Sequence, residues 1–343
     1  MPELIGVVVI GRNEGERLKI CLRSLARAEA IVYVDSGSTD GSQDFARSLG
    51  VEVVELTIPP GFTAARARNA GLAALQERHP DVAFVQMVDG DCEISPGWLD
   101  AAAQALAADD RLALVFGRLR ERHPERSIYN ALCDDEWNGP VGEAPGSGGI
   151  AMVRVAALHS VVGYDPGIIA GEDTEMAMRM RKAGWRLERI AADMGLHDAA
   201  ILSLGQWWKR AKRGGHGFAE MAHLHPDARW PNWPRTCRSI AVWGALVPVL
   251  IVAALLLALA TGSGWPACAA LALLALYPVQ AVRIARAKRR QGLPPRLAHA
   301  SGVLLTLGKF PEFLGLARYH LNRLRGRRSL LIEHKAASMG IAT

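Results

Sequence analysis

Ala83-Phe-Val-Gln-Met-Val-Asp-Gly-Asp91 decides how this sequence is read. Residues 83–88 form a short apolar run of strand length, the pattern of a strand covered on both faces. The run stops on two carboxylates separated by a single glycine. In open α/β sheets, ligands bind in the crevice beyond the carboxyl ends of the strands. Asp89 and Asp91 at such an end can hold a hard divalent cation that bridges phosphate oxygens. Acidic residues after strands also form turns and cap helices, so the surroundings have to decide.

Toward the N-terminus, Ile5–Ile10 (IGVVVI), Ala30–Val34 (AIVYV) and Val51–Leu56 (VEVVEL) read as three further strands. Helix-like stretches at Glu16–Ala28, Gln43–Leu49 and Ala64–Arg78 separate them. Toward the C-terminus come a helix at Gly97–Ala107, a strand at Leu112–Leu119, and helices at Glu172–Ala183 and Leu204–His223. Strands alternating with helices predict an α/β domain with a mostly parallel sheet flanked by helices. Arg120–Gly149, rich in Gly, Pro and acidic residues, reads as irregular, either an acceptor-facing loop or a long connection. Asp35 closes the second strand. Glu172 and Asp173 open a helix, where a carboxylate is a cap or a base toward a hydroxyl.

Composition changes sharply late in the 343-residue chain. Ala241–Ala260 and Trp265–Val282 carry no charge, and the first is long enough to cross a bilayer. Thr261-Gly-Ser-Gly264 between them allows only a tight hairpin. Basic clusters at Lys209–Arg213, Arg283–Arg290 and Arg323–Arg328 flank the pair, while the hairpin has no Lys or Arg. The positive-inside rule then predicts that both flanks face the cytoplasm, as expected of a multi-pass protein of the inner membrane. Leu297–Leu324 is interrupted by Lys309, Glu312, Arg318 and His320, and reads as an amphipathic segment lying on the membrane. Met1-Pro-Glu-Leu4 lacks the basic and apolar regions of a signal peptide, so the N-terminal domain is expected to stay in the cytoplasm. The expected organisation is a catalytic domain over 1–225, a Pro/Trp-rich linker over 226–239, two transmembrane helices over 240–282 and a basic amphipathic tail over 283–343. The net charge of +6 comes with no nucleic-acid reader motif, and no nucleic-acid partner is expected. Five scattered cysteines without metal-like spacing point to free thiols.

The order VVVIGRNEGERLKICLRSL, VDSGSTDGS, ARNAGL, VDGDCEISPGWL, GGIAMV and GEDTEMAMRMRKAGWRL resembles the family 2 inverting glycosyltransferases of the GT-A fold. The resemblance covers residues 5–225. It implies a nucleotide-sugar donor, with Asn13, Asp35, Arg68 and Asp89 on the donor's base, ribose or phosphates. It assigns Asp91 to Mg²⁺ or Mn²⁺ on the diphosphate, Asp173 to the general base and Glu172 to orienting acceptor hydroxyls. His197 lies where related enzymes sometimes supply a histidine to the metal or diphosphate, with a structural or surface role as the alternative. Gln206-Trp-Trp-Lys-Arg-Ala211 departs from the QxxRW element of processive synthases, because Arg210 falls one place late and no Trp follows. That departure, together with only two spans, favours transfer of a single sugar over a polysaccharide synthase component, and the membrane anchor suggests a lipid-linked acceptor. Gly11-Arg-Asn-Glu-Gly15 is not the glycine pattern of a dinucleotide-binding turn. A non-catalytic membrane adaptor is the other alternative, and it would have no use for Asp91 and Asp173.

Overall fold

The computed structural model describes residues 4–26, 28–57 and 61–327, which form two compact units. Of these, the first holds the residues up to Pro124 together with Cys133–Ala200, and the second holds Glu125–Leu132 and residues 201–327.

The first unit is built on one nine-stranded sheet. Its elements begin with β1 (Ile5–Gly11), α1 (Glu16–Ser24), β2 (Ala30–Asp35), α2 (Ser42–Ser48), β3 (Glu52–Glu55), α3 (Ala64–Arg78) and β4 (Phe84–Asp89). They continue with β5 (Cys92–Ile94), α4 (Trp98–Ala108), β6 (Leu112–Glu121), α5 (Ile128–Glu136), whose residues before Cys133 fall in the second unit, and β7 (Gly142–Glu143). β8 (Ala151–Arg154), α6 (Val155–Ser160), α7 (Glu172–Lys182) and β9 (Arg186–His197) complete it. The strand order is β3-β2-β1-β4-β8-β6-β9-β5, with β7 on β9. β3, β2, β1 and β4 are parallel, as the alternating pattern predicts. β8 runs antiparallel to β4 and β6, and β5 and β7 antiparallel to β9, so the sheet as a whole is mixed.

In β1 every residue from Gly6 to Ile10 is buried, because helices cover both sheet faces. Val8 and Ile10 enter one core layer with Leu72 and Leu75 of α3, while Val7 and Val9 enter the other with Leu18 and Leu22 of α1. Each such side chain contributes about 1.5–3 kcal/mol when fully buried, which fixes the register of the central strands. The segment read as irregular, 120–149, contains α5 and β7. Its turns at Pro124 and Asn138-Gly-Pro140 mask a helix of nine residues.

The second unit contains α8 (Leu204–Leu224), α9 (Trp233–Ala241), a π-helical turn at Val242–Leu246 and α10 (Val247–Thr261). It continues through α11 (Gly264–Arg290), α12 (Pro295–Leu307) and α13 (Lys309–Leu324). α8, which the sequence reading grouped with the catalytic domain, packs in this unit against α9 and α13. The stretch read as linker continues directly into a helix, and Trp233–Thr261 and Gly264–Arg290 are both long and apolar enough to cross a membrane. Gly262, with φ of 64°, makes the tight hairpin between them. Leu297–Leu324 is two helices broken at Gly308, and each buries a face: Ala298, Ser301 and Gly302 in α12, Gly315, Leu316 and Tyr319 in α13. Gly215 of α8 lies against the Glu312 backbone and Gly315 of α13 against that of Lys212, so either Cβ would collide. Small residues on both helices permit this close crossing. Gln206 serves as the α8 capping box with Ser203, and Trp207 stacks on Tyr129 at 6.2 Å.

Candidate active site

Strand register brings distant residues to one end of the sheet. Gly11 lies opposite Asp35, and Ile10 opposite Asp89. β8 places Ala151 opposite Met87, which sets Gly148-Gly149-Ile150 at the same end. Cys92 and Glu121 both lie opposite His197.

The loops after β1 and β2 are tied together. Asn13, at a left-handed φ of 53°, receives at its Oδ1 a hydrogen bond from Thr39 N (2.8 Å), while its own N–H donates to Ser38 Oγ (2.9 Å). Gly15 N donates to Asp40 Oδ2 at 2.9 Å. Asp35 is fully buried and accepts from Tyr33 Oη (2.8 Å), Gly37 N (2.9 Å), Ser38 N (2.8 Å) and Gln43 Nε2 (2.9 Å). Its carboxylate builds the turn that presents this loop. Burial and the Asp35 carboxylate push the Tyr33 phenol up, so it remains a donor.

Arg68 of α3 is the hub of the site. Its guanidinium is buried, donates from Nη2 to Asp89 Oδ1 at 2.8 Å and from Nη1 to Glu172 Oε1, and lies 5.6 Å above the Tyr164 ring. Burial alone would lower its pKa, but Asp89 and Glu172 outweigh that and keep the cation. Gly149, at φ of +88°, leaves room for Arg68 Nη2, which a Cβ would approach to 2.9 Å. The neighbouring Asn69 clamps Tyr164 through both backbone groups, at 2.7 and 3.0 Å. The Arg68-Asn69 pair therefore fixes α7 and the loop before it to the end of β4.

Asp173 sits in the first turn of α7, beside Glu172. Burial and the Glu172 charge raise its carboxyl from the usual range to about 7, against the lowering effect of Arg68 and backbone N–H groups. A carboxylate titrating near neutrality is suited to accept a proton from a hydroxyl.

Asp91 and His197 meet across 106 residues of sequence, with Asp91 Oδ2 3.2 Å from His197 Nε2. Among the described residues, Asp91, Cys92 and His197 form a cluster whose donor atoms lie within 4.8 Å of one another. Burial, followed by Asp89, drives the Cys92 thiol well up, so it stays protonated and donates to Asp91 Oδ1 at 3.4 Å. That leaves a carboxylate oxygen and an imidazole nitrogen that could hold a cation, a donor set that would fit Mn²⁺ and accept Mg²⁺ with less ease. Trp137 packs on His197 with ring centroids 4.6 Å apart. Glu121, buried beside His197 in register, accepts from His123 N and Ala199 N at 3.0 Å and so anchors the chain after β9.

A model described as glycosyl transferase family 2 matches residues 6–147, and one described as glycosyl transferase family group 2 matches residues 128–282. The chain belongs to glycosyl transferase family 2. Within the family, it is 29% identical over 300 residues to the pre-mycofactocin glycosyltransferase of Mycobacterium tuberculosis, a match spanning 83% of this chain but 58% of that relative's length. Glycosyltransferase AglE of Haloferax volcanii is 25% identical over 227 residues, covering 62% of this chain and 72% of AglE. Among solved structures, mannosyltransferase PcManGT from Pyrobaculum calidifontis, in complex with GDP-Man and Mn²⁺, matches 92% of this chain and 87% of its own at TM-score 0.60 and 21% identity. The shared fold is the mixed α/β sheet of GT-A type.

Of the residues singled out in this family 2 chain, Arg68, Asp89 and Glu172 form one ion-paired network with Asp173 alongside, and Asp91 and His197 form a second contact. Asn13 and Asp35 organise the loops at the same sheet end. Tyr164, Glu121 and Trp137 went unread, since each sits in a loop or strand whose partner is far away in sequence.

Proposed function

We propose that this chain is an inverting glycosyltransferase that moves one sugar from a nucleotide-sugar donor to a lipid-linked acceptor, anchored in the inner membrane with its catalytic unit in the cytoplasm. The carrying observation is the 3.2 Å contact of Asp91 with His197 at the sheet end that also holds Asp89, Arg68 and Asp173. Asp91 and His197 would hold Mn²⁺ or Mg²⁺, which when bound would supply positive charge to offset that of the departing diphosphate. Asn13, Asp35, Arg68 and Asp89 shape the donor pocket, and Glu172 holds the acceptor side through Arg68. The acceptor hydroxyl attacks the anomeric carbon as Asp173 takes its proton. The bond from that carbon to the diphosphate oxygen breaks, the nucleoside diphosphate leaves, and one displacement inverts the centre. Names of relatives support the reaction class, and the Mn²⁺ and GDP-Man of PcManGT support the donor chemistry. Two apolar helices with basic flanks support the anchor.

The test is release of nucleoside diphosphate from a panel of nucleotide sugars by the full chain in lipid. Turnover that requires Mn²⁺ or Mg²⁺ and disappears in Asp91→Ala is the expected result. A chain that consumes none of the panel in the presence of membrane lipid would sink the reading.

A further inference from the structure

The C-terminal end of α11 carries a groove of ≈ 630 Å³ outside the site just described. Pro278, Val279 and Val282 form one end of it, and Arg283, Arg286 and Arg290 form the other. These arginines are spaced three and four residues apart, so they share one helix face. A second hollow of ≈ 430 Å³ shares Val282, Arg286 and Arg290 and adds Arg289 and His299 of α12. Among the described residues, Arg283, Arg286, Arg289 and Arg290 make no ion pair, in contrast to Arg68, Arg118 and Arg179 of the sheet unit. The acidic residues between 201 and 327 are Glu220, Asp227 and Glu312, and Glu312 is taken up by Lys309 at 2.7 Å. Lys309, one of the charges that interrupt Leu297–Leu324, is thus already paired.

We infer that this groove binds the phosphate head of a membrane lipid, with the lipid's chain lying along Pro278–Val282. The inference rests on the proposed membrane reading of α10 and α11. Guanidinium forks match phosphate oxygens in pairs, and several on one face offset a charge that a single lysine would meet only as a point. Free phosphate would use the arginines and leave the apolar end unmatched. A neutral lipid would do the reverse. An amphiphile with an anionic phosphate satisfies both ends, and it meets them where the apolar helix passes into its basic end.

The experiment uses the full chain in phosphatidylcholine nanodiscs doped with phosphatidic acid, with retained lipid counted by native mass spectrometry. Wild type retains phosphatidic acid over phosphatidylcholine, and Arg286→Ala with Arg290→Ala weakens that retention about tenfold or more. Arg286→Lys with Arg290→Lys keeps the charge that positions the helix yet still weakens retention, because the fork is lost. Arg323→Ala with Arg325→Ala leaves retention intact. Undiminished retention in the double alanine variant overturns the site. So does complete displacement by inorganic phosphate, which marks a free-ion site. A chain that stays out of the discs overturns the membrane reading itself, a failure visible before any lipid is counted.

Discussion

Arg68 and Arg286 are the same side chain put to opposite uses. Arg68 is 2% exposed and locked between Asp89 and Glu172, and its charge is spent inside the protein on holding a site together. Arg286 lies exposed at the end of an apolar helix with no ion-pair partner among the described residues, and its charge faces outward. Charge balance separates the two units. The sheet unit pairs its buried Arg68 and Arg118 with carboxylates and so preorganises, whereas the helical unit leaves a basic face that calls for an external anion.

The contrast breaks first at Arg68. Removing one partner of a buried ion pair leaves uncompensated charge, so Arg68→Ala should lower unfolding free energy by about 3–5 kcal/mol. Denaturant titration measures this, and a loss under 1 kcal/mol would mean that Glu172 and Asp89 do not depend on Arg68. Second comes the base. Asp173→Asn should lower kcat by about 10²–10⁴-fold with donor affinity retained. Only the deprotonated form of Asp173 accepts a proton. With its pKa raised to about 7, kcat/KM should climb as pH rises through that value and level off above it. Since the Glu172 charge helps raise that pKa, Glu172→Gln should move the rise to lower pH, read from the same profiles. The smallest effect belongs to the other arginine. Arg286→Ala, on an exposed face, should change stability by less than about 0.5 kcal/mol while altering lipid retention.

Much of this was legible in the sequence because it is local. IGVVVI and AIVYV are continuous apolar runs and AFVQMV is interrupted only by Gln86, and such runs are what a sheet covered on both faces requires. VDGD and GEDT sit next to the elements that carry them. The antiparallel half was harder to read. β9 alternates exposed and buried residues and carries charges at Arg186, Glu188, Arg189 and Asp193, so it lacks an apolar run. Its pairing with β6 and β5 brings His197 to Asp91, and no spacing in the chain encodes that meeting. The Arg68 bridge is hidden for the same reason, with 104 residues between Arg68 and Glu172. Leu297–Leu324 reads as amphipathic from its interrupting charges, but the close helix contacts at Gly302 and Gly315 were not legible, because their partners Ala281 and Lys212 lie elsewhere in the chain.

The most direct measurement is transfer of radiolabelled sugar from a nucleotide-sugar donor into extractable lipid by the full chain in nanodiscs. Wild type should label lipid when Mn²⁺ is present, with labelling abolished by chelator, by Asp91→Ala and by Asp173→Asn. Labelling that persists in excess chelator, or in Asp173→Asn at the wild-type rate, would contradict a metal-supported transfer that uses Asp173 as its base.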